Sequence, residues 1–301
     1  MNGCGKCMDN GVKKKLCNND WVEVKIDDMV LHFSGKRRVL STSCLNGGPR
    51  EDLTAVFNHC DMDENVNDCP MYGDTYKEHL EHAAKCAGLD ADSVCGLSTA
   101  VYMKYVVCEE AHWKDYEVTV YLTGGILENG RRVGDPTSME ERNEIFEMLE
   151  DGRNNQDSNR VEKDAEELAE TSDRNHIYEV SEDPMSRSAD KTAGFVPGTI
   201  NMIIHISAEL SWNAMVGATV VATEAKAAAI QEVGLKSCYS DGLATGSGTD
   251  GIIIVSDMES DVHLTQVRTD VKAGEIIGAA VKKALKRALY WNIEISSSDK
   301  R

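Results

Sequence analysis

The sequence predicts an α+β fold: mixed β-sheets packed with helices in a single globular domain, with a long buried helix near residues 211–233. Three observations carry this reading. Short β-branched or alternating runs recur between Trp21 and Ser256. Helical patterns lie between them without the regular spacing of βαβ units. A chain of 301 residues that is 41% hydrophobic has enough apolar surface for a core without disulfide staples.

The elements follow in order. Val22, Val24 and Ile26 alternate with Glu23 and Lys25, and Asp27-Asp28 supplies a turn into Val30-Leu31-His32-Phe33. Ser34-Gly35-Lys36 punctuates before Arg38-Val39-Leu40. Residues Thr75 to Ala87 read as a helix ended near Gly88. In Tyr116 to Leu122, Val118, Val120 and Leu122 alternate with Glu117, Thr119 and Tyr121, the pattern of a strand running into Thr123-Gly124-Gly125. Glu140 to Asp190 reads as helix broken by loop: Asp135-Pro136-Thr137-Ser138-Met139 resembles a helix start, and Ile145, Met148 and Leu149 give one apolar stripe.

The last third is the best patterned. Ile200-Asn201-Met202-Ile203-Ile204-His205-Ile206 has a buried-strand composition. Ser211 is placed to N-cap a helix ending at Gly234, and Ala214 to Ala222 is apolar or small on every side, which predicts a helix buried all round. Gly251 to Ser256 is a β-branched strand. Ala273 to Tyr290 is an amphipathic helix with Ile276, Ile277, Ala280, Val281, Ala284, Leu285 and Ala288 on one face. Residues 1–20 form a cysteine-containing N-terminal extension, and 21–301 the main domain with an acidic surface insertion at about 150–190.

The charge excludes some functions. With 51 acidic against 32 basic side chains, the formal charge is −19, which is unsuited to coating a polyphosphate. The acidic excess lies between residues 51 and 190, so the last third is near neutral. No apolar run approaches the length of a membrane span, and the N-terminus has no secretory signal pattern. Ten cysteines without such a signal suit free thiols in a reducing cytoplasm. Cys4, Cys7 and Cys17 are weak metal-ligand candidates, because a CxxC with one further cysteine is short of a fourth ligand, which Cys44, Cys60 or Cys69 could supply, and no metal cofactor is expected.

Four segments are rich in glycine and hydroxyls: Leu40 to Arg50, Gly96 to Met103, Leu122 to Gly125 with Arg131 to Pro136 downstream, and Leu243 to Gly251. Such turns let backbone N–H groups converge on an anion, and their hydroxyls and acids offer nucleophiles or bases. Each also reads simply as a tight turn. None is a P-loop or a G-x-S-x-G elbow, since Gly246-Ser247-Gly248 precedes a strand. Thr223-Glu224-Ala225-Lys226 puts a carboxylate and an ammonium in an otherwise apolar helix. Residues two apart face different ways, so they do not pair with each other. They either emerge near an exposed helix end or form an acid/base or clamp. Asp261-Val262-His263-Leu264-Thr265-Gln266 falls one glycine short of a corrinoid-carrier loop and reads as coincidence.

Together these segments resemble the adenosylcobinamide amidohydrolase family of corrinoid salvage. The matching residues are Arg38 to Gly48, Leu97-Ser98-Thr99-Ala100 with Met103, Asn129 to Pro136, Pro197 to Ile203, Ala222 to Ala229, and Tyr239-Ser240 through Ala244 to Asp250. The agreement runs from about residue 36 to 290 and leaves the first 20 residues and the 150–190 segment uncovered. One stretch departs: where the family tends to have Asn-Ala-Gly and a histidine, this chain has Gln266-Val267-Arg268-Thr269-Asp270.

The resemblance implies hydrolysis of the amide between a corrin propionate and aminopropanol, giving adenosylcobyric acid. The cobalt then belongs to the substrate. The resemblance places these motifs without assigning roles; from the residue chemistry Asp250 or Glu224 is expected as base, Lys226 as charge stabiliser or proton donor, and Thr249 as a candidate nucleophile, with the N–H groups of Gly246 and Gly248 at the oxyanion. Asn46, Gly47, Gly48, Thr99, Asp135, Asn201 and Thr245 would bind substrate. The partner expected is a small-molecule corrinoid, with no nucleic acid and no membrane span, and a homo-oligomer is left open. A corrinoid-binding or storage protein without turnover, and an amide hydrolase acting on another substrate, are the alternatives.

Overall fold

The computed structural model describes residues 11–62, 71–136, 139–142, 145–148 and 198–298. The chain divides into two compact units, one formed by Met1–Asp135 with Gly194–Arg301 and the other by Pro136–Ala193.

The first unit is a four-layer α/β/β/α arrangement of the α+β class, with no closed barrel. Its first sheet has five strands: β1 (Val12–Lys15), β2 (Trp21–Val24), β3 (Asp28–His32), β6 (Ala55–Cys60) and β7 (Val94–Thr99), in that order. The pairs are antiparallel except β6 with β7, whose parallel crossover carries helix α1 (Tyr76–Cys86). The second sheet has six strands in the order β5-β4-β14-β12-β9-β8, made from β4 (Arg37–Ser41), β5 (Gly48–Arg50), β8 (Val107–Trp113), β9 (Tyr116–Gly124), β12 (Ile200–Ile206) and β14 (Gly251–Asp257). Its one parallel pair, β12 with β14, is joined through helix α2 (Trp212–Val233). Helix α3 (Lys272–Ser298) closes the chain, and β13 (Glu209–Leu210) pairs with β15 (His263–Leu264).

Three apolar layers follow from the period of two along the strands. Val118, Val120, Leu122, Met202, Ile204 and Ile254 face α2 and α3. Tyr121, Ile203, Ile253, Val255 and Val39 face the five-stranded sheet. Val30, Phe57 and Val94 cover Leu80, Ala83 and Ala84 of α1. Both faces of β9, β12 and β14 are therefore buried, so the alternation in Tyr116–Gly124 sorts residues between two cores rather than between core and solvent.

Thr75 caps α1: its hydroxyl accepts from the Glu78 N–H, and the Glu78 carboxylate accepts from the Thr75 N–H. Ser211 occupies the N-cap position of α2, but its hydroxyl donates to Asn213 and the Thr265 carbonyl and accepts no helix N–H.

Two expectations are corrected. Helix α2 is not buried all round. Ala214, Met215, Ala218, Val221, Ala222, Ala225, Ala229 and Ile230 face inward, while Val216 (55% exposed), Val220 (51%), Thr223 and Glu224 face out. An outer-layer helix covers a sheet with one stripe only, and valine or alanine on its other side leaves no trace in the period. In the second unit, Met139–Arg142 (β10) and Ile145–Met148 (β11) form an antiparallel hairpin, Arg142 opposite Ile145, where a helix was expected. A two-residue connection lets the strands satisfy each other's backbone groups, and the three-residue apolar stripe was too short to oppose that. The expectations for Thr137, Ser138, Leu149 and the 150–190 segment lie outside the described residues.

Candidate active site

The six-stranded sheet brings the N-terminal ends of β12 and β14 side by side, with Asn201 opposite Gly251. Just before those strands lie Thr199 and the turn Gly246-Ser247-Gly248-Thr249-Asp250. Lys226, on the inner side of α2, reaches this turn and places Nζ 2.5 Å from Asp250 Oδ2, both side chains being about one-eighth exposed (13% and 12%). Glu224, two residues earlier, points outward and is exposed. The helix thus separates the two charges onto different faces.

The Asp250 carboxylate is fixed on every side. Its Oδ1 accepts from the Ser247 hydroxyl at 2.5 Å and from the Ile200 N–H at 3.2 Å. The Ser247 N–H donates to both oxygens at 3.1 Å. Gly246 leaves room for the pair: a Cβ there would lie 2.2 Å from Asp250 Oδ2 and 2.8 Å from Lys226 Nζ. Beside it, Thr199 and Thr249 have hydroxyl oxygens 2.9 Å apart, and Thr199 donates to the Gly198 carbonyl.

A second loop supports this turn. Arg131 and Gly246 form a bridge, in which the Gly246 N–H donates to the Arg131 carbonyl and so points into the protein. The Arg131 guanidinium stacks 3.8 Å from the Tyr239 ring centroid. Thr245 accepts from the Val133 N–H. Asp135 accepts from the hydroxyls of Ser237 (2.6 Å) and Ser240 (2.5 Å) and from the Arg132 N–H. Burial pushes the Asp135 carboxyl up, but these donors outweigh it and hold it below the usual carboxylate range.

Lys226, Gly246, Gly248, Thr249 and Asp250 are thus brought together, with Thr245 and Asp135 in the adjoining loops. Of the other predicted binding residues, Thr99 lies on the five-stranded sheet and Gly48 and Asn201 on the six-stranded one. Asn46, at φ +51°, donates to the carbonyls of Ala91 and Val94. Gly47 and Gly48 follow it, Gly48 within β5. Thr99 is buried and accepts from the Val101 N–H. Asn201 is buried and donates to Asn58 Oδ1 and the Ser98 carbonyl. Cys4 and Cys7 lie outside the described residues, Cys17 is an exposed free thiol, and no group of three metal-ligating side chains occurs among the described residues.

Sequence reasoning passed over Ser247 and Thr199, although a serine three residues before an aspartate is a recognisable turn pattern. It also passed over a buried polar cluster at the opposite end of the strands. There Arg37 joins Asp20 and Asp257, and His205 lies 3.1 Å from Asp20.

A sequence model described as adenosylcobinamide amidohydrolase matches residues 14–297. The chain belongs to the adenosylcobinamide amidohydrolase family. The matched range begins inside the first 20 residues and runs through 150–190, so the family extends beyond the stretch from 36 to 290 in which its motifs are evident. An uncharacterized protein of Methanocaldococcus jannaschii is 27% identical over 294 residues, covering 92% of this chain and 96% of that protein. A solved structure of a Pyrococcus horikoshii protein is similar with a TM-score of 0.37 at 10% identity, covering 95% of this chain and 82% of that one. Among the described residues no helix is long and apolar enough to cross a membrane.

The stretch that departs from the family pattern lies away from the ion pair. The Arg268 guanidinium holds Asp270 in a local bidentate pair, at 2.8 and 3.1 Å. The Val267 carbonyl packs on Gly217 of α2, where a Cβ would lie 2.2 Å from its oxygen. Lys226 follows nine residues later, about 14 Å along the helix axis.

Proposed function

We propose that this protein hydrolyses the amide joining a corrin propionate to aminopropanol in adenosylcobinamide, releasing aminopropanol and leaving adenosylcobyric acid. Family membership supports the substrate class. The Lys226–Asp250 pair, held against a hydroxyl-rich turn at the N-terminal ends of β12 and β14, supports the chemistry and is the observation that carries the reading.

Amide cleavage needs a nucleophile, a stabiliser for the tetrahedral oxyanion and a proton for the departing amine. Lys226 meets the second and third needs, since an ammonium at a partly buried site both faces developing negative charge and carries a transferable proton. Asp250 holds Lys226 in place and accepts a proton from the turn. The exposed Gly248 and Thr249 line the approach to the pair. The amide nitrogens of Asn46 and Asn201 donate to backbone carbonyls and Thr99 Oγ1 accepts from the Val101 N–H, which fixes how these side chains are oriented. Thr245 and Asp135 shape the adjoining loop.

In this reading the cobalt is part of the corrinoid substrate. The net negative charge is compatible with a cationic corrinoid, and exposed thiols at Cys17, Cys44 and Cys86 that form no disulfide suit a reducing cytoplasm. A binding protein without turnover is the second reading, favoured only by the Gln266–Asp270 departure. Incubation with adenosylcobinamide distinguishes them: mass spectrometry should detect free aminopropanol at catalytic turnover. Tight binding with no release would sink the hydrolase.

A further inference from the structure

We propose that Ser247 is the nucleophile of this site, acting through a serine–aspartate–lysine proton relay and a covalent ester intermediate. The inference rests on the amide-hydrolase reading and deepens it by choosing among the hydroxyls of the turn.

The choice follows from where each proton must lie. Thr199 has one hydroxyl proton, and it donates to the Gly198 carbonyl at 2.7 Å. Thr249 has only hydroxyl oxygens within reach among the described residues, that of Thr199 at 2.9 Å and that of Ser247 at 3.5 Å. A hydroxyl is a poor proton acceptor, so Thr249 faces no base. Ser247 is different. A carboxylate only accepts, so the Ser247 hydroxyl directs its proton at Asp250 Oδ1, 2.5 Å away. The other oxygen of that carboxylate lies 2.5 Å from the Lys226 ammonium. The Thr249 N–H donates to the Ser247 oxygen at 3.2 Å and fixes its rotation. Nucleophile, acceptor and orienting group stand in hydrogen-bonded series, the arrangement that activated nucleophiles require. Asp135 also holds two serines, but among the described residues no ammonium lies at hydrogen-bond distance from it to serve as proton donor for a leaving amine.

The step balances. The Ser247 oxygen attacks the amide carbonyl carbon, forming a C–O bond, and its proton passes to Asp250. Lys226 gives a proton to the departing nitrogen, the C–N bond breaks and the free amine leaves. The proton on Asp250 then crosses the short contact to Lys226, which restores the ion pair. Water attacks the ester by the same route, releasing the carboxylic acid and regenerating the serine hydroxyl.

The test uses the full-length protein and two probes. p-Nitrophenyl acetate should give a burst of one p-nitrophenolate per chain, with the acetyl group found by peptide mass spectrometry on Ser247. Ser247→Ala should abolish that label and lower aminopropanol release from adenosylcobinamide by at least about 10³-fold. Ser247→Cys should restore labelling as a thioester, which separates loss of the nucleophile from misfolding. Acetyl on Thr249, no burst at all, or Ser247→Ala releasing aminopropanol within tenfold of the natural protein would each overturn the proposal. Acetylated Ser247 with no cobinamide cleavage would uphold the nucleophile and reject adenosylcobinamide as substrate, so the two failures are distinguishable.

Discussion

Arg37 and Asp20 form a bidentate ion pair inside the protein, Nε to Oδ2 at 2.7 Å and Nη2 to Oδ1 at 2.8 Å, with 1% and 0% of their side chains exposed. Asp257 takes Nη1 at 2.8 Å, and the Lys36 carbonyl shares it. These contacts tie β4 of one sheet to the loop before β2 of the other. Removing the Asp20 charge strips the buried guanidinium of its bidentate partner and leaves it the Nη1 contacts to the Asp257 and Glu259 carboxylates. Asp20→Asn is expected to destabilise the protein by about 3–5 kcal/mol. Urea unfolding measures this, and a loss under about 1 kcal/mol would contradict the assignment.

The same pair sets an acid limit. Burial pushes Asp20 up, but hydrogen bonds from His205, Arg37 and the Ser34 N–H hold it far below the usual carboxylate range. A carboxyl depressed in the folded state contributes stability above its unfolded value near 3.9, and that contribution is lost as pH falls below it. His59 has the opposite sign. Burial lowers it, yet the Asp28 carboxylate at 2.8 Å outweighs burial and raises it. Its contribution is full below about pH 6.5 and fades as pH rises through the folded value. Melting temperature should therefore fall steeply below about pH 4 and decline more gently above neutrality. Asp20→Asn should flatten the acid limb, and Asp28→Asn the alkaline one.

The two candidate acids of α2 and the glycine turn should separate kinetically. Asp250→Asn is expected to lower kcat for aminopropanol release by about 10²–10³-fold, because it uncouples Lys226 and the turn. Glu224→Gln, on the exposed face, should lower it by less than about tenfold. Steady-state kinetics on both variants decide it. A larger loss at Glu224 would move the base to the outer face of the helix.

Gly246→Ala tests the geometry without removing a functional group. The added methyl would meet Asp250 Oδ2 and Lys226 Nζ. Turnover should fall more than the melting temperature, because the methyl meets the ends of two side chains rather than backbone. A variant with full activity would show that the pair need not stay in contact.

Thiol reactivity reports on the core. Burial raises the Cys108 thiol to about 11 and also raises Cys95. At pH 8 iodoacetamide should label exposed Cys44 and Cys86 and spare Cys95 and Cys108, read by peptide mass spectrometry. Rapid labelling of Cys108 would mean that the β8–β9 edge opens readily.

Much of this was legible in sequence because local signals are strong where the chain must bury both faces. Ile200–Ile206 and Gly251–Asp257 are β-branched runs that no exposed element would need. Thr75 and Glu78 spell out a capping box. The signal fails where pattern and environment part. Val216 and Val220 look like core and are exposed. The hairpin at 139–148 rests on pairing between strands, which apolar spacing does not encode.

By itself the sequence determined the α+β class, the main strands and helices, and the family, since these depend on residue period and ordered motifs along the chain. Only the tertiary structure decided which charges meet. Lys226 and Asp250 are 24 positions apart, and Arg37 and Asp257 are 220 apart. Parallel pairing of β12 and β14 sets the turn against the inner face of α2, and the same packing turns Glu224 away. Side-chain direction on a helix is fixed by the face it presents to its neighbours. Local sequence sets that face's composition but not its orientation.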